Sequence, residues 1–134
     1  MAGLTQKSWI PVAVIVSATY AFVGVVFALP ADHAQTWRLA AWGVSAVAYG
    51  AHICYDRLRL GNSHPRVALH IALAVALGAF GLAASANIHA LHVGSSTHHR
   101  LLLALSLALW PLLTAAPAFC IALVASWALT RRNY

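Results

Sequence analysis

Residues 67–92 read VALHIALAVALGAFGLAASANIHALH, a run without a single Asp, Glu, Lys or Arg. A helix needs about 20 apolar residues to cross a hydrocarbon core of roughly 30 Å, and this run is long enough. Ala72, Ala74, Ala76, Gly78, Ala79, Gly81, Ala83, Ala84, Ser85 and Ala86 place a small side chain at almost every third or fourth position. Within lipid, helices associate by close backbone approach, which small residues permit. The run therefore predicts a central helix, packed through Ala74, Gly78, Gly81 and Ser85. Ser85 and Asn87 add capacity for hydrogen bonds between helices.

Three further charge-free stretches lie around it: Trp9 to Leu29, Leu39 to Tyr55 between Arg38 and Asp56, and Leu101 to Thr130 between Arg100 and Arg131. The first is expected to be a retained helix, because the segment after Pro30 continues directly into further apolar sequence. Helix punctuation separates the stretches. Asp32 and Gln35 have the spacing of a capping box. Gly61 suits the left-handed residue that follows a helix, and Pro65 suits a first turn. Gly94-Ser95-Ser96-Thr97 breaks the third helix and caps the fourth. The reading is an all-α integral membrane protein with one domain over residues 1–134. Its helices are expected at about 9–29, 33–60, 65–92 and 97–130. Short loops predict an up-down-up-down bundle in which neighbours in sequence are antiparallel neighbours in space.

The composition agrees. Of 134 residues, 62% are hydrophobic and 7% are charged, where soluble domains average about 25% charged. A net charge of +6 arises from eight Lys and Arg against two Asp. Such sparse cations at the ends of apolar stretches argue against a nucleic-acid partner and point to membrane topology instead. Lys7, Arg57, Arg59, Arg66, Arg131 and Arg132 fall on one side of the expected bundle, and Arg38 and Arg100 on the other. The positive-inside rule then places both termini in the cytoplasm, in keeping with a bacterial inner membrane. Trp9, Trp37 and Trp127 near the span ends suit interfacial anchors.

Several chemistries lack their residues. Lys7 is the only lysine, so no buried Schiff base is available. Asp32 and Asp56, the only carboxylates, are expected at span ends, which argues against proton-coupled transport. Cys54 and Cys120 are far apart and read as inert thiols. No phosphate loop or nucleophile motif is present.

Eight histidines remain. His52 and His70 are expected at similar depth on adjacent antiparallel helices, as a bis-histidine b-type haem or another tetrapyrrole would require. The competing reading is structural, with His52 paired to Asp56 one turn along the same helix face. At the other end, His89, His92, His98 and His99, with His33 nearby, offer imidazoles to a transition metal or form a hydrated rim. Pro111 and Pro117 are expected to kink the fourth helix.

These features predict a small membrane subunit without catalytic activity of its own. It would serve as a structural or accessory component of a larger membrane complex or a homo-oligomer, with lipid, other integral membrane subunits or itself as partners. Two alternatives stand beside it: a haem- or pigment-binding electron-transfer subunit using His52 and His70, and a small transporter or channel lined by the kinked helix.

Overall fold

The computed structural model describes residues 9–26, 34–93 and 96–131. The expected box of Asp32 and Gln35, and His33 with it, falls on or against the stretch outside those residues. The described chain is all-helical. Helix α1 spans Ile10–Val26, α2 Ala34–Cys54, α3 His64–Val93 and α4 Thr97–Arg131. One irregularity interrupts the pattern: α2 ends in a π-helical segment, Tyr55–Arg59.

Local chemistry explains the boundaries. Gly61 has φ +65°, the left-handed conformation that costs glycine little, and it ends the second helical stretch. The backbone carbonyl of Ser63 accepts from the Val67 amide at 3.0 Å, and Pro65 occupies the first turn of α3, where its missing N–H costs no helical bond. Ser96 caps α4. Its carbonyl accepts from the Arg100 amide at 3.0 Å and its hydroxyl from the His99 amide at 3.4 Å. Pro111 and Pro117 lie inside one continuous 35-residue helix. Near the first of them, Thr114 donates to the Trp110 carbonyl at 2.9 Å.

Side-chain contacts fix the directions of the helices. Ser17 reaches the Ala74 carbonyl at 3.0 Å, a Cβ on Gly78 would meet Tyr20, and one on Gly81 would meet Ala21. A Cβ on Gly24 would meet Leu82. Both numbers rise together along this series, so α1 and α3 are parallel. Tyr49 donates to the Ala118 carbonyl and Arg57 to the Thr130 hydroxyl, which makes α2 and α4 parallel. Asn87 donates to the Leu103 carbonyl at 2.8 Å while His64 meets Ser126, so α3 and α4 are antiparallel. The helices alternate up and down.

Helix α3 is central, with α4 on one side and α1 on the other. The expectation that all sequence neighbours pack side by side is corrected at α2. This helix packs chiefly on α1 and makes few contacts with α3 or α4. The small faces of α3 are taken up by α1 and α4, and α2 leaves Leu39, Trp42 and Val47 exposed. Ser85 also departs from its expected role. It is exposed, and its hydroxyl returns to the Leu82 carbonyl of its own helix. Ala74 is fully buried beneath Ser17.

The apolar core gathers Ile53, Val67, Ala68, Ile71 and Ala122, ringed by Tyr49, Phe119, Leu123, Ala125 and Leu129. It lies at the end of the bundle where α2 stops and α3 starts. Two helical stretches, His64–His92 and His98–Thr130, are long and apolar enough to cross a membrane, and α1 is a shorter apolar helix.

Candidate functional site

The polar interior lies at that same end, around the π-helical segment. A π turn makes i→i+5 bonds, here from the Leu60 amide to the Tyr55 carbonyl at 3.3 Å, and such turns are frequent at functional positions. Regular helical spacing does not hold across it. Asp56 lies within this segment and is only 1% exposed, although the sequence places it at the end of a span.

Asp56 is satisfied twice. His70 lies on α3, and its Nδ1 is 2.9 Å from Asp56 Oδ2. An ionised carboxylate only accepts hydrogen bonds, so the His70 Nδ1 carries the proton and donates. Asn62 donates through Nδ2 to Asp56 Oδ1 at 2.8 Å, and its amide also reaches the Asp56 carbonyl at 3.4 Å. Trp9, at the start of α1, stacks on the His70 ring with centroids 4.2 Å apart and planes within 6°. Trp9 reads in the sequence as an interfacial anchor. Here its indole covers one face of a buried imidazole.

His52 completes the group. It is 3% exposed and lies one helical turn before Asp56. Its Nδ1 is buried and has no hydrogen-bond partner. The expected pairing of His52 with Asp56 is therefore corrected: the carboxylate oxygens are held by His70 and Asn62. His52 and His70 are brought together, but around a carboxylate. An unpartnered buried nitrogen costs about 1–3 kcal/mol, and among the buried side-chain nitrogens and oxygens of the described residues His52 Nδ1 alone lacks a partner.

A second polar group lies beside the first. Arg57 donates to the Asn62 carbonyl at 2.7 Å and to the Thr130 hydroxyl at 2.9 Å. His64 Nδ1 is 3.1 Å from Ser126 Oγ, and its ring lies 5.6 Å from that of Trp127. The pair resembles a nucleophile and its base only at first sight. The Ser126 hydroxyl donates to the Leu123 carbonyl at 2.8 Å, so His64 donates to Ser126 and does not accept from it. Ser126 is also wholly buried.

The outer histidines are arranged differently. His89, His92, His98 and His99 are all exposed. His92 uses its Nδ1 on the Ile88 carbonyl at 2.8 Å, within its own helix. Among the described residues, no three His, Cys, Asp or Glu side chains converge closely enough to hold a metal ion. Helical spacing puts His89 and His92 on one face without directing them at those of α4. Cys54 and Cys120 are free and exposed.

What this site offers chemically is a buried acid–base group: one carboxylate, one imidazole locked to it, and a second imidazole with an unused nitrogen. No protein-family model, curated protein or solved structure matches the chain.

Proposed function

We propose that the chain is a four-span integral membrane subunit that acts as a structural component of a larger membrane assembly or of a homo-oligomer. One observation carries this reading. In the apolar stretch of α4 only 11% of residues are buried within the bundle, against 50% for α3. Leu101, Leu105, Leu109, Leu112, Leu113, Ile121 and Val124 all remain exposed. A face of that size is costly in water and marks a lipid or protein partner. In this reading α1 and α2 also span, and the end bearing Arg57, Arg59 and Arg66 faces the cytoplasm.

Alkaline carbonate extraction followed by native mass spectrometry in mild detergent tests it. The chain is expected to stay with the membrane and to appear in species heavier than its own 14.2 kDa. A carbonate-soluble chain, or a monomer alone, overturns the reading.

A second reading, a tetrapyrrole ligated by His52 and His70, draws on the unpartnered Nδ1 of His52. A carboxylate on the distal nitrogen, as Asp56 is on His70, is the usual support of a ligating histidine. The stacked Trp9 opposes it by occupying space beside His70. A visible absorption spectrum of the intact protein decides: a Soret band lost in His52→Ala and kept in His98→Ala supports ligation, and a colourless protein removes it.

A further inference from the structure

We propose that the cytoplasmic half of α4 seats an anionic phospholipid, its acyl chain along the helix and its headgroup at the arginines of the adjoining end. The inference rests on the membrane reading above and adds a ligand class to it.

Two shallow hollows lie on α4. One is lined by Leu123, Val124, Trp127 and Ala128, the other by Cys120, Ile121, Val124 and Ala125. They share Val124, so they form one apolar track over two turns, about 12 Å long at 1.5 Å per residue. A track of this length and lining suits the upper part of an acyl chain.

The track leads to the polar end of the bundle. Trp127 lies against His64, and one turn further Thr130 accepts from Arg57. Arg59 and Arg66 are exposed on the same two segments that carry Arg57 and His64, the π-helical segment and the first turn of α3. Charge then selects the ligand. Asp56 is the only carboxylate among the described residues, and it is buried and bonded to His70 and Asn62. The arginines therefore have no acidic partner among those residues. A phosphodiester supplies the missing negative charge. A zwitterionic lipid brings its own cation and gains less, while an anionic one is attracted by each nearby arginine, for a preference on the order of tenfold.

The test uses the full chain in phosphatidylcholine vesicles doped with either brominated phosphatidylglycerol or brominated phosphatidylcholine at equal fraction. Trp127 emission is isolated by difference from Trp127→Phe. The expected result is stronger quenching by the brominated phosphatidylglycerol. The difference should vanish in an Arg59→Gln, Arg66→Gln double variant and survive in the matching double lysine variant. Equal quenching by the two lipids in the unmodified chain overturns the proposal. Carbonate extraction of the same vesicles separates the two failures. Equal quenching with the chain retained defeats the lipid site alone, whereas release of the chain defeats the membrane reading and the site with it.

Discussion

The Nδ1 of His70 donates to Asp56 Oδ2 at 2.9 Å, joining the π-helical end of α2 to the first turns of α3. Both side chains are buried, so breaking the pair leaves one partner without its counterpart. Asp56→Ala is expected to destabilise the bundle by about 3–5 kcal/mol, and His70→Ala by a similar amount. The double variant should cost much less than the sum. A double-mutant cycle of denaturant unfolding in detergent micelles checks the coupling, and strict additivity would mean the pair contributes nothing.

Glycine substitutions separate packing from propensity. A Cβ on Gly78 would press on Tyr20 Cβ and the Ser17 carbonyl, whereas one on Gly43 meets nothing within 4 Å. Gly78→Leu is expected to cost about 1–3 kcal/mol by forcing α1 from α3. Gly43→Ala is expected to stabilise α2 by about 0.5–1 kcal/mol, since alanine loses less backbone freedom in a helix. Thermal unfolding of the two variants side by side gives the comparison.

Tyr49 ties α2 to α4 through the Ala118 carbonyl. Tyr49→Phe keeps the ring and removes the donor, at an expected cost of about 0.5–1.5 kcal/mol. Because α2 has few other contacts with α4, cross-linking between the two helices should fall along with stability. Unchanged cross-linking would show that another contact positions α2.

Topology is open to direct labelling. Single cysteines at Ser63 and Ser96, in a Cys54→Ala, Cys120→Ala background, lie in the turns at opposite ends of α3. A membrane-impermeant thiol reagent is expected to reach Ser96→Cys from outside and Ser63→Cys only after permeabilisation. The reverse pattern would invert the orientation.

Much of this architecture is legible in the residues. Charge-free stretches locate the helices, and Gly61, Pro65 and Ser96 mark ends that the backbone uses. The row of small residues in α3 signals a central helix, since bulky neighbours can approach closely only there. Which helix fills that row is not written in any single stretch. Ser17, Ala21 and Gly24 on α1 match it, but the match depends on a register between segments more than 50 residues apart. Asp56 is the clearest loss. Counting at 3.6 residues per turn leaves it at a span end facing His52. Its contact with His70 crosses from the end of α2 to α3 and depends on how the two segments pack, which no spacing within one stretch records. His89 and His92 illustrate another limit of spacing, which gives a shared face and says nothing of what lies opposite.

The polar ties of Asp56, Arg57, Asn62, His64 and His70 all lie at one end of the bundle, while Asn87 holds α3 to α4 toward the other. The molecule is thus built like a clothes-peg, sprung shut at one end. Local opening, which proteins sample well below their global unfolding free energy, should begin where such ties are fewest among the described residues. Amides near Val26 and Val93 would exchange with solvent deuterium before those around Ile53 and Ile71, and any partner that enters between the helices would meet the least resistance from that side.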